Sequence, residues 1–190
     1  MKKSALFVLS GIVFSLSAFA AEVSGVKLDD QITVGTSPLV LNGAGLRTKF
    51  GLAKVYVAGL YVPQKSGEAA GIIGLQQPRR VVMVMKRDVS ADTMLEAFHK
   101  GLSANLSEAE LQALKPRLDQ LDQVFHAVGQ AREHDVIDLD FGADGSVRIS
   151  FNGKPTDQIQ GPDIGPAMLK IWLGEHPVQD SLKDALLGKD

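Results

Sequence analysis

The stretch Leu41–Pro63, LNGAGLRTKFGLAKVYVAGLYVP, reads as two long strands joined by a very tight turn. Gly51-Leu52 fits a two-residue hairpin loop with Gly in its first position, as a type II′ turn prefers. That loop sets Lys49 opposite Lys54, Arg47 opposite Tyr56, Gly45 opposite Ala58 and Gly43 opposite Leu60. Side chains alternate along a strand, so these pairs share one face. The other face carries Leu46, Thr48, Phe50, Val55, Val57 and Tyr61. Arg47 and Tyr56 are therefore expected to meet across the sheet, with Cβ atoms within about 6 Å. Gly43, Gly45 and Ala58 are expected to leave an open space beside them. A guanidinium, a phenol and a gap form a clamp suited to an anionic head group.

The flanking sequence supplies the rest of the fold. Val23 to Pro38 holds short strand signals broken by Asp29-Asp30 and Gly35. Ser66 to Leu75 reads as a short, Gly-interrupted helix or loop. RRVVMVMKR, Arg79–Arg87, is rich in β-branched residues and reads as a buried strand. Ser90 is a helix N-cap, followed by Leu95, Phe98 and Leu102 on one face. Ser107 with Glu110 forms a capping box ahead of the stripe Leu111, Leu114, Leu118, Leu121, Phe125. Pro116 is expected to kink or divide that helix. Glu133 to Phe141 and Ser146 to Asn152 form a second hairpin around Ala143-Asp144-Gly145, and Asn152-Gly153 turns into a further short strand. Two helices close the chain, with Gly174 as a C-cap between them. Strands, then helices, then strands, then helices, with short connections, give an α+β class: an antiparallel sheet with helices packed on one face.

GAGLR (43–47), the strand KVYVAGLYV (54–62) and the closing WLGEHPV (172–178), in that order, resemble the chalcone isomerase-like family. The similarity is to its bacterial secreted branch and covers most of the chain after the first twenty residues. The resemblance implies an open-faced β-sandwich. It also implies that Arg47 matches the arginine with which ligand-binding members hold a carboxylate and catalytic members a flavonoid oxygen. Fatty-acid-binding relatives pair that arginine with a tyrosine on the next strand, a place Tyr56 fills. The plant isomerase further needs a threonine on the second strand, a separate tyrosine after the third long strand and a polar residue in the C-terminal helix. Tyr56 stands near the first position. Both tyrosines of this chain lie in the hairpin, so the second has no counterpart, and Ile171 occupies the third.

The first twenty residues read as a leader. Lys2 and Lys3 precede the apolar run Ala5–Leu16, and Ala18-Phe19-Ala20 is a small-x-small cleavage signal with the cut expected before Ala21. The run is too short for a spanning helix, so no stable membrane insertion is expected once it is removed. A soluble protein exported to a bacterial periplasm is the expectation. The chain has no cysteine, which excludes disulfides, a thiolate metal site and a thiol nucleophile. A formal charge of −2 argues against nucleic acid as a partner.

Other candidate chemistry is weak. Asp138, Asp140 and Asp144 do not have EF-hand spacing, and alternation puts the first two on the outer face. His99, His126, His134 and His176 lack metal-ligand spacing. No nucleophile elbow, phosphate loop or dinucleotide fingerprint is present. No cofactor or metal is expected, and no catalytic residue is assigned. The leading reading is a non-catalytic binding protein for a fatty acid or similar amphipathic carboxylate. Arg47 and Tyr56 hold its head group, and Leu95, Phe98, Met168 and Trp172 line an apolar tunnel. Two alternatives stay open. One is an isomerase or lyase that uses Arg47 as an electrophile on an enone-type or phenolic substrate. The other is an interaction module in which Arg47 is an ion-pair partner of Asp88 or Asp92.

Overall fold

In the computed structural model, which describes residues 21–189, a long antiparallel sheet carries helices on one face. The expected leader and its cleavage site lie outside the described residues. The elements in chain order are β1 (Ala21–Val23), β2 (Val26–Leu28), β3 (Gln31–Val34), β4 (Ser37–Lys49), β5 (Ala53–Val62), α1 (Ala69–Ile73), β6 (Arg79–Met85), β7 (Val89–Ser90), α2 (Ala91–Asn105), α3 (Glu108–Val128), β8 (Gln130–Ala131), β9 (Val136–Phe141), β10 (Val147–Phe151), β11 (Lys154–Ile159), α4 (Ile164–Leu173) and α5 (Asp180–Leu186). Seven strands form the main sheet in the order β11-β10-β9-β6-β5-β4-β3. Every neighbouring pair is antiparallel. This is the α+β architecture expected from the sequence.

Alternation along the strands divides the apolar residues between two layers. Ala58, Leu60, Val62, Val81, Met83, Met85, Ile137 and Leu139 face the helices and form the main core with Leu95, Phe98, Met168 and Trp172. Phe98 packs against Phe125 at 5.2 Å and meets Trp172 edge-on at 5.9 Å, geometries that aromatic pairs favour. On the opposite face Val57, Tyr61 and Val82 pack with Val26, Leu28, Leu39 and Leu41. That smaller layer lies under the β1–β2 hairpin. Tyr61 is buried there, as parity requires, and its hydroxyl donates to the Asp29 carbonyl at 2.9 Å. Further along this outer face Arg80 makes a fork contact to Asp140 (2.5 and 2.8 Å) and reaches Asp138 at 3.7 Å. These two aspartates are thus ion-pair partners of a strand arginine.

Local signals set most helix ends. Ser90 Oγ accepts from Thr93 N, and the Ser107–Glu110 capping box is formed in both directions. Pro116 does not divide α3, which runs unbroken from Glu108 to Val128. Its packing against the sheet end and α2 outweighs the one lost backbone bond. His99 and His126 on α2 and α3 bond to Asp122 and Asp92 at 2.8 and 3.1 Å, tying the two helices together.

Arg79 opens β6 on the helix-facing side and is only 1% exposed. Its guanidinium donates to the carbonyls of Ile72 (2.9 Å), Ile73 (3.0 Å) and Gly142 (3.4 Å). Burial pulls its pKa down to about 10. It caps the C-terminal end of α1, where helix carbonyls lack intrahelical partners.

Candidate functional site

The β4–β5 ladder pairs Arg47 with Tyr56, Gly45 with Ala58 and Gly43 with Leu60. Arg47 and Tyr56 therefore share the helix-facing side, as the sequence implied. The path between them and the tip differs from expectation. Phe50 and Gly51, not Gly51 and Leu52, are the central turn residues, with φ of 54° and 71°. Leu52 N–H donates to the Lys49 carbonyl at 3.3 Å. Two successive positive φ values are the signature of a type I′ turn, whose twist matches that of the strands. Lys49 then pairs with Ala53 and Thr48 with Lys54, so Lys49 and Lys54 are not partners. A bulge that skips Val55 restores the register at Arg47–Tyr56.

A second bulge lies at Asn42, between the pairs Leu41–Tyr61 and Gly43–Leu60. Asn42 is buried. Its amide donates to the carbonyls of Ser66 (3.0 Å) and Leu186 (2.7 Å) and accepts from Ser66 N (2.7 Å). It thereby ties β4 to the end of α5. Its signal in the sequence is a polar residue just before a Gly within an apolar strand.

The expected gap beside Arg47 is filled. A Cβ on Gly43 would fall on the Ala185 carbonyl oxygen, and one on Gly45 would lie 2.8 Å from Ala185 Cβ and 2.9 Å from Leu182 Cδ1. The small residues are there so that α5 can lie directly on β4, not to leave the face open. Small side chains at a site give either a cavity or a close approach, and only the tertiary partner decides which.

Gln179, just ahead of α5, completes the site. Its Oε1 accepts from Thr48 N (2.9 Å) and Arg47 Nη1 (3.2 Å), while its Nε2 donates to the Leu46 carbonyl (3.1 Å). The carboxamide so pairs with the open edge of β4 beyond its contact with β3, as a strand backbone would. Arg47 also donates to the Thr48 carbonyl. Among the described residues Arg47 has no carboxylate partner. Asp88 accepts from Glu133 N (2.8 Å) and Asp92 pairs with His126, so neither serves Arg47 as an ion-pair partner.

Tyr56 is held from the other side. Trp172 Nε1 donates to its hydroxyl oxygen at 3.0 Å. Burial pushes the phenol pKa up, while the Trp172 hydrogen bond and the Arg47 charge act in the opposite direction. The hydroxyl therefore keeps its proton at neutral pH. With the indole occupying an acceptor site, that proton is available for donation. Ile171, the α4 residue matched to the isomerase's polar position, lies against Gly101 of α2. Leu95, Phe98, Met168 and Trp172 are all buried in the main core below Tyr56.

Two open grooves exist elsewhere, and neither is lined by Arg47 or Tyr56. One runs between α3 and β11, past Val124 and Ile159. The other, of about 600 Å³, lies among α1, the end of α2 and the end of α4.

No curated protein matches the chain by sequence. Among solved structures it is similar to a fatty-acid binding protein of Arabidopsis thaliana. The TM-score is 0.68 at 14% identity, over 86% of this chain and 92% of that one. At that identity the likeness concerns the fold. A family model described as chalcone isomerase-like matches residues 20–188. With the paired Arg47 and Tyr56 strands and the closing helices inside that span, the chain belongs to the chalcone isomerase-like family.

Proposed function

We propose that this protein binds a fatty acid or a similar amphipathic carboxylate, with Arg47 and Tyr56 holding the head group, and that it does so in a bacterial periplasm after loss of residues 1–20. The observation that carries the reading is the state of Arg47. It is a partly buried guanidinium bonded only to neutral oxygens, those of Gln179 and Thr48, beside a phenol with a proton to donate. A carboxylate in the place of Gln179 Oε1 would gain a charge-assisted contact to the guanidinium and a bond from the phenol. The acyl chain would then run into the apolar layer around Trp172 and Leu182, with α5 giving way. The helix is seven residues long. Its hold on β4 depends on Gln179 at its start, on the Asn42 bond to the Leu186 carbonyl at its end, and on close contact at Gly43 and Gly45. The fatty-acid binding protein of similar fold adds support of its own. No helix among the described residues is long and apolar enough to cross a membrane.

Calorimetric titration of the chain from Ala21 onward with fatty acids of several lengths tests the reading. Saturable binding that weakens in Arg47→Ala supports it. Binding that is absent at every length, or unchanged in Arg47→Ala, overturns it.

A further inference from the structure

The tip of the β4–β5 hairpin presents Phe50 and Leu52 to solvent at 90% and 89% exposure; they are the large hydrophobic residues left exposed among the described residues. Neither the core nor the Arg47 site uses them. Phe50 also sits at φ 54°, a left-handed conformation that bulky side chains rarely adopt and that this turn normally gives to Asn, Asp or Gly. Local backbone preference therefore does not account for a Phe at this position. Two lysines flank the pair. Lys49 Nζ lies 5.5 Å from the Phe50 ring centre, and Lys54 is exposed on the returning strand. Farther from the tip, Lys86 N–H donates to the Val55 carbonyl at 2.9 Å while its ammonium bonds to the Ser24 carbonyl at 3.3 Å. Asp88, Glu133 and Asp135 gather where β6 ends, Asp88 accepting from Glu133 N at 2.8 Å and Met85 N donating to the Asp135 carbonyl, so the basic character belongs to the tip itself, at Lys49 and Lys54. The chain as a whole is acidic, so the two lysines at the tip run against its net charge of −2.

We infer that the Phe50–Leu52 tip docks the protein on the surface of an anionic phospholipid bilayer. Two apolar side chains at the end of a two-stranded hairpin, flanked by Lys49 and Lys54, match the layered chemistry of such a surface. Phe50 and Leu52 enter the acyl boundary while Lys49 and Lys54 meet the lipid phosphates. A turn this small offers far less than the roughly 800 Å² per partner that a stable protein interface buries, whereas a bilayer accepts a narrow wedge. The inference is independent of what the Arg47 site binds.

The test is flotation of the chain from Ala21 onward with vesicles of phosphatidylcholine alone and of equimolar phosphatidylcholine and phosphatidylglycerol. The complete described fold lies in that span. The chain should float with the anionic vesicles and not with the neutral ones. Phe50→Ser with Leu52→Ser should weaken that association about tenfold or more. Lys49→Gln with Lys54→Gln should weaken it and flatten its salt dependence. All four positions are exposed or at the turn, and circular dichroism checks that the variants stay folded. No flotation with anionic vesicles, equal flotation with neutral ones, or an unchanged Phe50→Ser/Leu52→Ser variant would overturn the inference. So would loss of a bound protein partner in that variant while vesicle binding persists. Fatty-acid titration of the same variant should match the parent, so failure of the docking surface and failure of the carboxylate site are read separately.

Discussion

Trp172 Nε1 donates to the Tyr56 hydroxyl across 116 residues of chain, at 3.0 Å. The chain's single tryptophan thus touches one of the two residues proposed to hold a head group. Its emission should shift on binding of a carboxylate ligand, and in Arg47→Ala the shift should need a correspondingly higher ligand concentration. Trp172→Phe removes the bond and part of a buried ring, and should cost about 1–3 kcal/mol in chemical denaturation.

Arg47→Ala should leave the fold intact, because the side chain packs little and no carboxylate depends on it. Ligand binding should weaken by about 1.5–3 kcal/mol in calorimetry. Arg47→Lys should recover only part of this, since an ammonium lacks the fork geometry. Tyr56→Phe should cost about 1 kcal/mol of binding.

Gln179→Ala separates stability from binding. It leaves Leu46 O and Thr48 N on the β4 edge to water and should lower stability by about 1 kcal/mol. It also clears the neutral oxygen from Arg47, so carboxylate affinity should rise. A fall in affinity as large as that of Arg47→Ala would mean that Gln179 itself binds the ligand.

Close approach of α5 to β4 makes its own prediction. Gly43→Ala drives a methyl group into the Ala185 carbonyl and should destabilise by about 1–3 kcal/mol, seen as a lower denaturation midpoint. Asn42→Ala strands the Leu186 and Ser66 groups it now satisfies and should cost a similar amount, about 1–3 kcal/mol. The two sites share α5, so the double variant should cost less than the sum.

Acid should destabilise the fold. Bonds from Ser107, from Arg132 N and from Ser146 hold the carboxyl pKa values of Glu110, Asp135 and Asp144 below their usual ones. Each contributes stability that is present above its unfolded pKa and lost as pH falls through the folded one. Asp138 has the opposite sign, because burial raises its pKa and protonation there favours the folded state. Loss of the first three contributions should appear as a drop in melting temperature below about pH 4. Glu110→Gln, which keeps an acceptor in the capping box without a titrating group, should flatten that drop.

Local rules made much of this protein legible. Period-2 alternation put Arg47 and Tyr56 on one face, Tyr61 on the other and Asp138 and Asp140 outside. Capping chemistry placed the starts of α2 and α3 at Ser90 and Ser107. These features rest on residues close in the chain, where backbone geometry alone links sequence to position. The turn was misplaced by one residue. A Phe in a left-handed conformation goes against local preference, and the bulge at Val55 that corrects it is enforced by the register of β5 against β6. What lies around Arg47 was decided only in three dimensions. Gln179 and Trp172 reach the hairpin from more than a hundred residues away, and no local signal marks them as its partners. Gly43 and Gly45 show that something must come close to β4. That the visitor is the protein's own α5 follows from how the closing helices pack on the sheet, and a single strand's sequence cannot encode that.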